Sequence, residues 1–344
     1  MSARGSTRGE VRGIALEVAV ERWPIAGRFT IARGSRTEAV VVVVTVRVDG
    51  AVGRGECVPY ARYGESVEGV VAAIESQRGI FAAASGAEVG AVRLALQAAL
   101  PAGAARNALD CACWDLEAKV TGVSAAVRAG VAPLRPVTTA YTLSLGTPEE
   151  MGAAAAAARD RPLLKVKLGG VGDPARIAAV RAASPRARLI VDANEAWRPA
   201  FMAEHLAACE GAGVELIEQP LPAGEDGALV GLRSAIAICA DESVHDREGL
   251  AGLVGRYQAI NIKLDKTGGL TEALALADAA RALGLRCMVG CMLGTSLAMA
   301  PALLIAGEAA FVDLDGPLLL AKDRARGLRF EGSAVSPPAP ALWG

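Results

Sequence analysis

The sequence predicts an α/β protein: a modified TIM barrel of (β/α)7β type, with an N-terminal α+β capping domain that the C-terminal tail completes. Three observations predict it. Strand-like runs alternate with helical ones between residues 137 and 318, while the 136 residues before them read as strands first and helices second. The C-terminal ends of the later strands are charged, although the strands themselves are apolar.

Residues 1–12 are polar and read as a frayed tail. From Ile14 to Val48 the pattern is strand-like, dominated by valine over 39–48, and Asp49-Gly50 is a turn signal before Val52. An antiparallel meander is expected there. Helical patterning follows over 66–81 and 89–100. In 104–121, Ala108, Cys111, Ala112, Asp115 and Ala118 recur at i, i+3, i+4, i+7 and i+10, and Gly122 ends the helix. After Pro136, strand-like runs at 137–144, 163–169, 188–194, 214–219, 235–241, 259–263, 286–292 and 310–315 alternate with seven helical stretches, among them 148–159, 174–183, 199–210 and 270–283. Such spacing suits a parallel barrel. A doubly wound open sheet is the alternative, but no G-x-G-x-x-G follows a first strand. The expected division is a cap over 1–136, a barrel over 137–318 and a tail over 319–344 that packs back on the cap.

Composition excludes several roles. Net charge is −1, from 36 basic and 37 acidic residues without a basic block, which argues against nucleic-acid binding. Aromatic residues are 4% of the chain, too few for base-stacking platforms. The seven cysteines (57, 111, 113, 209, 239, 287 and 291) form no C-x-x-C pair, and His205 and His245 are the only histidines. A zinc site is therefore not expected, and reduced thiols in the cytoplasm are. No apolar segment resembles a signal peptide or a membrane span.

The strand ends carry the chemistry. Lys165 and Lys167 alternate with aliphatic residues, so they share one face of the second strand. Asp192 and Asn194 end the third strand, Glu218 the fourth, and Asp241 and Glu242 the fifth. The sixth carries Lys263, Asp265 and Lys266, and the eighth Asp313 and Asp315. Any one of these acids alone reads as a solvated strand end or a helix cap. Three carboxylates on consecutive strands, flanked by lysines, suit an oxygen-seeking divalent cation such as Mg²⁺. Strands two and six face each other across an eight-stranded barrel, so Lys167 and Lys263 would approach a central substrate from opposite sides. A lysine with a pKa of about 10.4 is almost wholly charged at pH 7, but a cation, burial and the neighbouring Lys165 would each lower that value. Lys165 reads as this electrostatic neighbour or as a carboxylate ligand. The plain alternative for Lys263 is an ion pair with Asp241 or Asp265. Lys266 has the opposite strand parity from Lys263 and is expected to face outward or cap the next loop.

The motifs K-V-K, V-D-A-N-E-A-W, I-E-Q-P-L, A-D-E-S and I-N-I-K-L-D-K-T-G-G, in this order and spacing, resemble the muconate-lactonizing subgroup of the enolase superfamily. The resemblance covers nearly the whole chain. It implies Mg²⁺ on Asp192, Glu218 and Asp241, an acid/base pair of Lys167 and Lys263, and a substrate carboxylate whose α-proton leaves to give an enediolate. Asp313-Leu314-Asp315 is similar to the D-x-D by which dipeptide epimerases bind the substrate's N-terminal amine. The loop Arg33-Gly34-Ser35-Arg36 resembles the one in which L-Ala-D/L-Glu epimerases place an arginine against the glutamate side chain, and either arginine could serve. Tyr60 and Tyr63 mark a second cap loop; Thr142, Met292 and Gly294 are further candidates for substrate contact, glycine at 294 leaving room for a bulkier substrate group. The expected activity is Mg²⁺-dependent epimerisation of a dipeptide such as L-Ala-D-Glu, with muconate cycloisomerase or o-succinylbenzoate synthase as the rival and an inactive peptide- or metal-binding barrel as a third reading. Members of the family often assemble, so a homo-oligomer is open.

Overall fold

The computed structural model describes residues 13–344; the expectation for the first twelve residues lies outside it. Three antiparallel strands, Ala15–Ile31, Gly34–Val48 and Ala51–Cys57, pair in sequence order. Asp49 (φ 49°) and Gly50 (φ 83°) form the left-handed turn that joins Val48 to its partner Ala51. The valine run is buried on both faces. Val42, Val44 and Val46 pack with the cap helices, whereas Val41 and Val43 join the cluster that continues into the barrel. The helix Ala104–Thr121 lies directly on the third strand: a Cβ at Gly55 would come within 2.1 Å of the Ala108 carbonyl oxygen. The helical region expected over 66–81 is broken into Val67–Glu75 and Arg78–Ala82. At the break Ser76 N still donates to Ala72 O at 3.0 Å, but Gln77 N turns to Ile74 O at 3.0 Å, a tighter i−3 bond that ends the helix.

Eight parallel strands build the second unit: Tyr141–Leu143, Leu163–Lys167, Arg188–Asp192, Val214–Glu218, Ala237–Ala240, Ala259–Ile262, Arg286–Val289 and Phe311–Val312. The last meets the first where Ala140 N donates to Val312 O at 2.8 Å. The fold class thus agrees with expectation, with two local differences. Val137–Thr138 is not part of the first barrel strand but pairs with Ala334–Val335 of the tail. Between strands four and five, and five and six, the connections hold short 3₁₀ turns (Asp226–Leu229 and Leu250–Leu253), because glycines at 224, 227, 231, 249, 252 and 255 interrupt any longer helix.

Ala140, just before the first strand, and one residue from each of the other seven form a buried floor: Leu163, Ile190, Leu216, Cys239, Ala259, Met288 and Phe311. Two residues further on, at or just past the strand ends, the same face presents Thr142, Lys165, Asp192, Glu218, Asp241, Asn261, Gly290 and Asp313. An apolar plate therefore carries a polar layer, at the end of the barrel that the cap covers. The tail returns to the cap: Trp343 Nε1 donates to Cys111 O at 3.0 Å, and Arg54 Nη2 donates to Leu342 O at 3.0 Å. Among the described residues no single helix is long and apolar enough to cross a membrane.

Candidate functional site

Asp192, Glu218 and Asp241 stand on three adjacent strands, each at most 1% exposed, with one oxygen from each within 4.8 Å of the others. Three buried carboxylates at that separation repel one another and require cations. Lysines supply part of the need. Lys167 Nζ donates to Asp192 Oδ2 and Lys263 Nζ to Asp241 Oδ2, both at 2.6 Å. Lys165 Nζ sits between Glu218 Oε2 (2.6 Å), Asp313 Oδ2 (2.7 Å) and Asp192 Oδ2 (3.2 Å). Its charge is thus shared among three acids rather than directed at Lys167.

Acceptors remain in excess. Glu242 Oε2, Asp313 Oδ1, Asn194 Oδ1 and Asn261 Oδ1 are buried without a hydrogen-bond partner among the described residues. Glu218 Oε2 receives no well-directed hydrogen bond despite its nearness to Lys165. Orphaned oxygens concentrated at one place fit a site built to receive cations, and an all-oxygen donor set suits a hard divalent ion. Burial and the nearby Asp192 charge push the Glu218 carboxyl up to about 7. Burial acts to raise Asp192 too, but the Lys167 and Lys165 ammoniums hold it below the usual carboxylate range. Burial opposes the charge on Lys263, and Asp241 and Glu218 overcome it, so its ammonium is favoured in the cation-free site.

Two supporting residues escape a reading by strand ends. Asn261 Nδ2 donates to Glu218 Oε1 at 2.7 Å, and Gly290 leaves the space, since a Cβ there would lie 2.5 Å from Asn261 Oδ1. Lys266, expected to face outward, is 1% exposed and donates to Asp241 Oδ1 (2.6 Å), Asp241 O (2.5 Å) and Asn261 O (3.0 Å). Strand parity fails because the strand ends at Ile262 and the chain turns into the short helix Leu264–Thr267.

The cap closes the mouth. A cavity lies between Lys167, Lys263, Asp241 and Glu242 of the barrel and Phe29, Arg33, Arg36, Tyr60 and Tyr63 of the cap, with Met292 and Cys291 at its side. The Arg33–Arg36 segment is no free loop: Phe29 pairs with Arg36 and Ile31 with Gly34, so Ala32 and Arg33 are the tip of a hairpin. Arg33 is engaged by Glu242 Oε1 (2.6 Å), Tyr60 Oη (3.0 Å) and Asn194 O (2.9 Å). Arg36 has no ion-pair partner among the described residues and faces Tyr60, 5.5 Å from the ring centre. Asp313 and Asp315 are buried beyond this cavity, and Thr142 N donates to Asp315 Oδ2 at 2.6 Å. Burial and the adjacent Asp313 push the Asp315 carboxyl up to about 7. Gly294 offers no extra room for substrate: a Cβ there would meet Glu56 Oε1 at 2.9 Å, so its smallness serves packing against the cap.

Residues 13–127 match the mandelate racemase/muconate lactonizing enzyme N-terminal domain, and residues 150–332 match the enolase C-terminal domain-like family. The chain belongs to the enolase superfamily. Within it, the chain is 49% identical to the L-Ala-D/L-Glu epimerase of Escherichia coli over 92% of its own length and 97% of that protein's. It is 45% identical to an N-acetyl-D-glutamate racemase from Pseudoalteromonas, over 88% and 95% of the two chains. A crystal structure of an enolase family member from Agrobacterium tumefaciens, described as homologous to dipeptide epimerases and holding sodium and L-Ala-L-Glu, superposes with a TM-score of 0.93. That protein is 54% identical, over 96% of this chain and all of the other. A dipeptide epimerase from Enterococcus faecalis, crystallised with Mg and L-Leu-L-Tyr, superposes at 0.87 with 28% identity, over 94% and 97%.

Proposed function

We propose that this enolase-superfamily enzyme is an isomerase that interconverts L-Ala-L-Glu and L-Ala-D-Glu by moving the α-proton of the C-terminal residue. One observation carries the reading: Lys167 and Lys263 line the same cavity, each hydrogen-bonded to a different member of the Asp192–Glu218–Asp241 triad. Two amines placed on either side of one reaction centre suit removal of a proton from one face and its return to the other. Asp192, Glu218 and Asp241 would hold Mg²⁺, which when bound supplies positive charge for the substrate carboxylate and takes over carboxylate oxygens that the lysines hold.

The remaining roles follow from charge. Asp313 Oδ1, buried and unpartnered, is available to the substrate ammonium, with Asp315 beside it as the second anion. Thr142 fixes Asp315 through its backbone N–H. Arg36, whose guanidinium is unpaired at the cavity wall, receives the glutamate side chain, while Arg33 is committed to Glu242. Met292 supplies apolar wall, and the cap tyrosines exclude water. The seven thiols are unpaired, which supports a reducing compartment such as the cytoplasm. An N-acetylated amino acid lacks the ammonium, so the open Asp313 oxygen favours a dipeptide over the substrate of the Pseudoalteromonas relative.

Incubation of L-Ala-D-Glu with enzyme and Mg²⁺ in D₂O tests the proposal. The expected result is deuterium at the glutamate α-carbon with appearance of L-Ala-L-Glu, abolished by chelator. Turnover of a muconate with no exchange into the dipeptide would sink it.

A further inference from the structure

The turn that follows Asp192 has an unusual backbone. Asn194 (φ 44°) and Glu195 (φ 70°) are consecutive left-handed residues, neither of them glycine. The conformation is held by Asn194 N on Asp192 Oδ1 and Glu195 N on Gln219 O, both at 2.9 Å. It aims the Glu195 side chain at the cap, and two separate cap segments meet it there. Arg62 binds in bidentate fashion, Nε to Oε2 at 2.8 Å and Nη2 to Oε1 at 2.7 Å. Arg33 Nη1, from the hairpin tip, reaches Oε2 at 3.1 Å. Ala223 N, from the loop after the fourth strand, donates to Oε1 at 2.8 Å. The Glu195 side chain is 9% exposed, against 37% for Arg62 and 26% for Arg33.

Among the described residues, the other ionic tie of these two arginines is that of Arg33 to Glu242. Glu195 is therefore the single barrel carboxylate on which the hairpin tip and the second cap loop converge. It lies three residues from one cation-holding carboxylate and is tied to it through the Asn194 amide.

We propose that Glu195 is a positioning residue: it latches both cap segments over the cavity and joins that closure to the turn that sets Asp192. It touches no substrate. Its effect is to place Arg36 and Tyr60, which the hairpin and the second loop carry, against a bound dipeptide. This rests on the epimerase reading for its kinetic consequence but not for the latch itself.

The test uses the whole enzyme and three variants, Glu195→Gln, Arg62→Met and the double variant. For L-Ala-D-Glu, each single change is expected to raise KM about tenfold with kcat within about twofold, and the double to do no worse than either single. Raised salt should increase KM in the parent and leave Glu195→Gln nearly unaffected. Independently of any substrate, limited trypsin digestion should cut after Arg33 and Arg62 several-fold faster in Glu195→Gln, with Tm unchanged. Unchanged KM, additive effects in the double variant, or equal trypsin rates would overturn the latch. If Glu195→Gln does not fold, Arg62→Met reads the same contacts. Protection from trypsin without turnover of any dipeptide would support the latch while refuting the epimerase reading.

Discussion

Lys266 shares Asp241 with Lys263. Its ammonium donates to Oδ1 and to the backbone carbonyl of that residue, whereas Lys263 donates to Oδ2. Burial works against the Lys266 charge and lowers its pKa, with Asp241 opposing.

Replacing Lys266 by Met removes this support while keeping the apolar stem. The expected effect is a ten- to hundred-fold rise in the Mg²⁺ concentration that half-saturates activity, the range typical for lost outer contacts to a metal ligand. A titration of the chelated enzyme with Mg²⁺, followed by α-proton exchange, measures it. An unchanged half-saturating concentration would refute the role.

The two lysines of the cavity should separate by stereochemistry. Lys167→Ala and Lys263→Ala are each expected to lose epimerisation by about 10²-fold or more, yet each should retain α-proton exchange with one stereoisomer, a different one in each variant. Mass spectrometry of L-Ala-L-Glu and L-Ala-D-Glu after incubation in D₂O reads both. Retention of exchange with both isomers in either variant would contradict a two-base scheme.

Arg36→Ala should lower kcat/KM for L-Ala-Glu substrates by about 10- to 100-fold, the worth of a charge-assisted contact, and barely alter dipeptides with an apolar second residue. Arg33→Ala should instead lower kcat/KM for both kinds together, because Arg33 braces the cap on Glu242 and Glu195. A selective loss in the Arg33 variant would reverse the assignment.

The cap has a pH-sensitive anchor. Asp110 accepts hydrogen bonds from Gln97 Nε2 at 2.9 Å and from Thr271 N at 3.0 Å and Oγ1 at 2.6 Å, and burial pushes its carboxyl up to about 6. Between its ordinary value of 3.8 and about 6, the folded protein keeps a proton that the unfolded chain releases. This group's contribution is therefore fully present below the lower value and lost as pH rises through the upper one, about 3 kcal/mol across the window. Urea unfolding of the parent and Asp110→Asn at pH 4–6 should show a less negative dependence on pH in the variant. Equal slopes would exclude Asp110 as the source.

The sequence was legible wherever strand period and strand end coincide. Lys165, Asp192, Glu218, Asp241 and Asp313 each stand two residues beyond the apolar floor, so parity alone puts them on the inner face. Strand parity misplaces Lys266 because the strand stops before it and helical geometry takes over. Asn261 carries no such signal, because its amide sits inside an apolar run and its partner Glu218 is 43 residues away. Arg33 and Arg36 could not be told apart, since their difference lies in Glu242 and Glu195, contacts separated by more than 150 residues.

The seating of Trp343 in the cap bears on the order in which the chain matures. Cys111 and Arg54 receive their partners from residues 342–343, more than 200 positions later. A ribosome that has released the first 136 residues has delivered the sheet and helices of the cap without the indole that seals them. The domain translated first therefore gains its last contacts only after all eight barrel strands have emerged.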